Sequence, residues 1–163
     1  MTEGAFAFLW RDENSLNALA LMQDSDVFSM AKPKNDKTWE KGDAMELFIQ
    51  PAGGEVYYEM HIAPNAATLQ LKIPSVQVFI DKSDGGHNTR FFDCGASTAC
   101  MAFDEKPFKG WAGLISIPLN GVVLNGSFEG AKVSVCRYNY NRAAGPLPEL
   151  SSISEFTIRR FHC

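Results

Sequence analysis

The sequence predicts an all-β fold in which two antiparallel sheets pack as a sandwich. Short runs with period-two alternation recur along the chain, and that period is the signature of strands. Turn clusters separate them, with 13 Gly and 8 Pro scattered rather than bunched, as many short strands require. A central pair of runs also sorts its apolar residues onto one face in both arms. A length of 163 residues suits one domain with a sizeable core. Residues 1–163 are therefore read as a single domain, with no internal repeat or low-complexity linker.

The elements follow in order. Ala5 to Trp10 is apolar and reads as the first strand, and Arg11 to Ser15 as a turn. Leu16 to Met22 is rich in Leu and Ala, both strong helix formers. It is short and lies between turn clusters, so it is read as a strand. Gln23-Asp24-Ser25-Asp26 is an acidic loop, and Ser29 to Thr38 a polar loop that delivers Trp39. Beyond the central hairpin, Thr68 to Ile73 alternates cleanly, and Val76 to Ile80 is a further apolar run. Asp81 to Thr89 holds a turn at Asp84-Gly85-Gly86-His87. Arg90 to Asp93 and Ala99 to Phe103 read as short strands, and Asp104 to Pro107 as a turn.

The hairpin organises the chain. Asp43 opens a half-buried strand in which Met45, Leu47 and Ile49 alternate with Ala44, Glu46 and Phe48. Gln50 to Glu55 breaks the run. In the next, Val56, Tyr58, Met60 and Ile62 share one face, and Tyr57, Glu59 and His61 the other. A turn centred between Ala52 and Gly53 sets Ile49 opposite Val56, Leu47 opposite Tyr58 and Met45 opposite Met60. The second face then pairs Phe48 with Tyr57, Glu46 with Glu59 and Ala44 with His61, and a one-residue slip would scramble both faces. Directly opposed carboxylates destabilise a sheet, so this register calls for a cation, an arginine, a shared proton or a polar ligand. The alternative is that both glutamates splay into water.

Trp39, the run Gly42 to Pro51 and the run Tyr57 to Pro64 together resemble the core of the family-9-like carbohydrate-binding modules. Gly110 to Leu119 resembles a second landmark, a Trp before a strand ending in Ile-Pro, although Leu114 stands where relatives often carry Glu. Val133 to Tyr140 resembles the penultimate strand, and Leu150 to Ser154 with Phe156 and Phe161-His162 the closing segment. A tryptophan that many relatives place near Ser152 or Ile153 is missing. The resemblance covers roughly Phe6 to His162. It implies an immunoglobulin-like or jelly-roll sandwich that binds glycan without catalysis, as an appendage of a secreted or surface polysaccharide-processing protein. An extracellular, periplasmic or cell-surface location follows from it. No secretory leader is visible at the N-terminus, so the chain is either cytoplasmic or a fragment whose leader has been removed.

Sugar binding needs an aromatic face against pyranose C–H groups and polar groups for the hydroxyls. Trp39 is the candidate platform, with Glu46, Glu59, His61, Arg137 and Asn139 as the polar rim and Tyr138 as a further candidate contact. The resemblance implies a ring clamped between two tryptophans. Trp39 lies near the first, and Tyr138, Tyr140 or nothing replaces the second. Arg137 falls in phase with Val133 and Val135; the alternative to a rim role is a structural network in which it neutralises Glu46 and Glu59. Trp10 and Trp111 read as edge or core packing.

Asp24 and Asp26 could ligate calcium, although two carboxylates fall short of the six to eight oxygens needed; a solvated turn is the alternative. Glu46, Glu59 and His61 would make a weak, open metal site. Met30 and Met60 are nominal axial ligands for heme, which a related sugar-binding family holds in the same sandwich.

The competing readings are a small glycosidase using Glu46 and Glu59 as paired carboxylates, and an interaction module with an exposed aromatic face. Net charge is −4 with no basic run, which argues against nucleic acid. No apolar run reaches the length of about 20 residues that a helical membrane span needs. Cys94, Cys100, Cys136 and Cys163 form no C-x-x-C pair. Cys94 and Cys100 flank a small-residue loop that a disulfide could close in an oxidising compartment. The alternative is four unpaired thiols, with Cys136 buried in a strand.

Overall fold

A computed structural model of the protein describes residues 3–105, 108–122 and 128–155. Its described strands are β1 (Ala5–Arg11), β2 (Ser15–Gln23), β3 (Ala44–Gln50), β4 (Tyr57–Ile62), β5 (Thr68–Ile73), β6 (Ser97–Glu105), β7 (Phe108–Pro118), β8 (Lys132–Asn139) and β9 (Glu149–Ser152). They form a four-stranded sheet in the order β1-β2-β7-β6 and a five-stranded sheet in the order β5-β4-β3-β8-β9. The named pairings are antiparallel. This is the predicted all-β sandwich.

The inward faces meet in one core. Leu16, Ala18, Ala20 and Met22 of β2 and Trp111, Ile115 and Ile117 of β7 pack against Met45, Leu47 and Ile49 of β3 and Tyr58, Met60 and Ile62 of β4. Trp111 is fully buried there, as its core-packing reading expects, while Trp10 lies on the edge strand β1 and is 44% exposed, not packed into the core. Leu16 to Met22 is a strand despite its helical composition, because alternation lets one face enter this core.

The central hairpin differs from expectation in register. Met45 pairs with Ile62, Glu46 with His61, Leu47 with Met60, Phe48 with Glu59 and Ile49 with Tyr58. This is a shift of two residues from the expected pairing. An even shift leaves every side chain on its expected face, so the apolar pattern cannot distinguish the two registers. The connection decides, because β4 begins only at Tyr57 and Gly53 takes a left-handed φ of 74° within the longer loop. Glu46 therefore faces an imidazole and not a second carboxylate.

The hairpin is also buried on both faces, not half-buried. A second apolar cluster covers the outer side of the five-stranded sheet: Phe48, Tyr57, Leu69, Leu71, Ile73 and Cys136, with Trp39, Val76 and Phe79 packed on them. The cover comes from two short helices, α1 (Thr38–Lys41) and α2 (Val76–Asp81). The apolar run at Val76 is helical because Ser75 caps it, its hydroxyl accepting the Val78 N–H at 3.2 Å, and Lys82 ends it in the left-handed conformation. Arg90 to Asp93 is not a strand; Phe91 makes an isolated bridge to Leu71.

Cys94, Cys100 and Cys136 are free, so no disulfide closes the 94–100 loop. The Cys94 thiol is held instead at 3.0 Å from the Gln70 side-chain oxygen. Cys136 is buried in β8, and burial pushes its thiol up to about 12. Lys106 and Pro107 of the expected turn, Phe156, Phe161 and His162 of the closing segment, and Cys163 lie outside the described residues.

Candidate functional site

The outer face of the five-stranded sheet carries the site. Outward residues of adjacent strands align in rows because side chains alternate along each strand. One row runs Leu69, His61, Glu46, Cys136, and the next Leu71, Glu59, Phe48, Ser134. Two acids and an imidazole thus lie side by side on a face that also carries Phe48, Leu69, Leu71 and Cys136. All three are 2–3% exposed.

The imidazole bridges the acids. His61 Nδ1 lies 3.2 Å from Glu46 Oε1, and Nε2 lies 3.4 Å from Glu59 Oε2. The Thr38 hydroxyl meets Nδ1 at 2.8 Å and fixes the ring from above. Burial alone would drive the imidazole towards its neutral form. Glu46, then Glu59, outweigh that and hold its pKa above the ordinary histidine value. The result is a buried row in which one imidazole lies between two acidic side chains.

Helix α1 places Trp39 over this floor. The Trp39 ring meets His61 edge-on at 5.7 Å between centroids and His87 at 5.3 Å. The Tyr140 hydroxyl donates to the Trp39 carbonyl at 2.6 Å, which ties α1 to the end of β8. The opposite wall is α2 and the segment after it. Arg90 donates from Nε and Nη2 to the two Asp84 oxygens at 2.7 and 2.8 Å, and from Nη2 to the Val78 carbonyl at 3.1 Å. Its guanidinium lies 5.0 Å from the Phe79 ring centroid. This fork folds residues 84–90 back over the sheet and brings His87 beside Trp39. Burial, with Lys37 and His61 nearby, lowers the His87 pKa.

Between these walls lies a cavity of about 600 Å³, floored by Glu46, Glu59 and His61 and walled by Trp39, Phe79 and His87, with Tyr138 at one side and Lys37 and Lys82 at the rim. That volume is within the range typical of small-molecule sites. Of the seven residues that the sequence nominates for sugar contact, Trp39, Glu46, Glu59, His61 and Tyr138 line it. Arg137 and Asn139 do not. They share a face of β8 with Val135, directed towards the other sheet. There Arg137 donates to the Gln23 carbonyl and to Asn139 Oδ1, both at 2.7 Å, and lies 3.6 Å from Asp24. The alternative network does form around Arg137, but with Asp24 and not with Glu46 and Glu59.

Asp24 and Asp26 each face an arginine. Asp24 is buried against Arg137. Asp26 receives Arg142 through Nε at 3.0–3.1 Å and through Nη2, which holds its carboxyl down near about 2. A cation there would compete with both arginines. Among the described residues, no group of three or more His, Cys, Asp or Glu is arranged to hold a metal ion. Met60 is in the core, and Met30 is 73% exposed outside the cavity.

Sequence reasoning missed Thr38, Phe79, His87 and Arg90. Thr38 adjoins Trp39 in the chain, so a polar residue capable of reaching the sheet was visible there. For the others, nothing in the sequence signals that a turn 25 residues beyond β4 folds back over it.

No family model matches the chain, and no curated protein matches its sequence. Among solved structures, it resembles the crystal structure of a "putative carbohydrate-binding protein" from Bacteroides uniformis, at a TM-score of 0.65 and 14% identity. The match covers 100% of this chain and 75% of that one. At that identity the likeness establishes a shared sandwich fold.

Proposed function

We propose that this protein is a non-catalytic carbohydrate-binding module of the family-9-like kind, and that the cavity on the outer face of the five-stranded sheet receives one sugar unit of a glycan. The observation that carries this is the joining of an aromatic wall, Trp39, to a charged, hydrogen-bonding floor, Glu46-His61-Glu59, within a single cavity of about 600 Å³. Trp39 stacks on the C–H face of the ring, and the floor and Tyr138 take its hydroxyls. The sandwich shared with the Bacteroides uniformis protein supports the reading. Such a module acts as an appendage of a secreted or surface polysaccharide-processing protein.

A glycan array followed by calorimetry on wild type and Trp39→Ala tests this. The expected result is saturable binding that weakens at least about tenfold in the variant, a difference of ~1.4 kcal/mol. No binding across the array, or equal binding by the variant, overturns the reading. Aryl-glycoside hydrolysis that disappears in Glu46→Gln would make the protein an enzyme instead.

A further inference from the structure

The four-stranded sheet, on the far side of the sandwich, turns an unusual face outward. In β1 the small residues Ala5 and Ala7 alternate with Phe6, Phe8 and Trp10. Ala7 is the one that packs on the core, so the large rings point away from it. A solvent-facing strand has the reverse pattern, with polar groups outward.

Adjacent strands continue the patch. Phe8 pairs with Leu19, and Leu19 with Leu114. In the next row Phe6 leads across to Met101 on β6 through Leu21 and Ala112. Neither row contains a charged residue, in a chain that is 21% charged. Phe6, Phe8, Trp10 and Met101 are 69%, 52%, 44% and 59% exposed. At about 200 Å² per side chain, the three rings alone leave roughly 330 Å² in water. With Met101 and the half-buried leucines the face reaches on the order of 500 Å², at the upper end of what a monomer exposes.

We propose that this face is a homodimer interface, covered by the same face of a second copy of the chain. An uncharged, ring-bearing sheet face offers little for a charged partner to recognise, whereas a second copy supplies an apolar face of the same kind and size. Two copies related by a two-fold axis bury it sheet on sheet, at the ~10 Å spacing of packed sheets. Doubling the face gives roughly 1,000 Å², the size at which specific interfaces begin. The 600 Å³ cavity lies on the opposite sheet. The dimer would therefore present two outward-facing cavities and bind a multivalent target with avidity. The interface does not depend on what the cavity holds.

Sedimentation equilibrium on the full chain, from about 1 to 100 µM, reads the outcome directly. The expected mass is twice the 18.0 kDa of the chain. Phe8→Asp sets like charges against each other across the two-fold axis and should weaken the dimer at least 100-fold. Met101→Glu, on the other edge strand, should do the same. Met30→Asp, exposed but away from this face, should leave the dimer intact. A wild-type monomer throughout the range overturns the proposal, as does an undiminished dimer in both face variants. It also fails if a chain ending at Glu155 dimerises where the full chain does not, because residues 156–163 would then be what covers the face.

Discussion

Glu46 and His61 stand directly opposite each other on β3 and β4, with His61 Nδ1 3.2 Å from Glu46 Oε1. The pair lies on the outer face of a sheet, yet both residues are 2–3% exposed, because two short helices roof that face. The charge of His61 is therefore set by its neighbours and not by solvent. Its folded pKa lies above the ordinary value of about 6.5. The stabilisation is thus complete below pH ~6.5 and is lost as pH rises through the folded value. An NMR titration of the imidazole should give a midpoint above 6.5, and Glu46→Gln should lower that midpoint. A midpoint at or below 6.5 in wild type would remove the imidazolium from the site.

Gly42 fixes where α1 ends and β3 begins. It has φ 140°, and a Cβ there would come within 2.5 Å of the Phe28 carbonyl oxygen and 2.8 Å of Ser29 Cα. Both are backbone atoms that cannot swing aside. Gly42→Ala should cost about 3 kcal/mol or more in denaturant unfolding. Gly53 also has a positive φ, 74°, but open space around its Cβ position. Gly53→Ala should cost only ~1–2 kcal/mol. Equal losses would show that close approach is not what requires glycine at position 42.

Asp43 ties three segments together. Its carboxylate accepts the N–H of Phe28 and of Tyr140, each at 2.8 Å. Burial raises its carboxyl to about 7, with Asp24 adding to the rise and the two N–H groups opposing it. A raised carboxyl binds a proton in the folded state that the unfolded chain has already released. Its contribution is therefore present below pH ~4 and is lost as pH climbs to about 7. Asp43→Asn should flatten the decline in stability across this window, leaving the part due to Asp24, which burial shifts in the same direction. At low pH it should cost about 1–3 kcal/mol, because an amide can accept only one of the two N–H groups. A pH profile identical to wild type would rule Asp43 out as its source.

The sandwich was legible because period-two alternation is a local signal, and Met45, Leu47 and Ile49 face inward in any even register. The partner of Glu46 was not legible, because Glu59 and His61 differ by two positions and lie on the same face. The roof over the site was hidden for a different reason. Val76 to Ile80 reads as apolar in any structure, and only the Ser75 cap and the Lys82 turn make it a helix. Arg137 showed its phase in the sequence but not its partner, since Asp24 comes from a loop 113 positions earlier.

Arg90 holds the far wall of the cavity in place, and its chemistry resists a conservative exchange. Its planar fork engages both Asp84 oxygens while its face rests on Phe79. Lysine keeps the charge but has neither the fork nor the flat face. Arg90→Lys should therefore loosen residues 84–90 and let His87 drift from Trp39. Hydrogen exchange at those amides should speed at least about tenfold, equivalent to ~1.4 kcal/mol of local opening, while β3 and β4 stay protected. Acid should not mimic the variant in wild type until it is strong. Arg90 holds the Asp84 carboxyl down at about 2, so the contact's stabilisation is complete above the ordinary carboxylate value of about 4, declines as pH falls below it, and is gone once pH passes about 2. Unchanged exchange across 84–90 in Arg90→Lys would mean that the loop is held by its backbone turns instead.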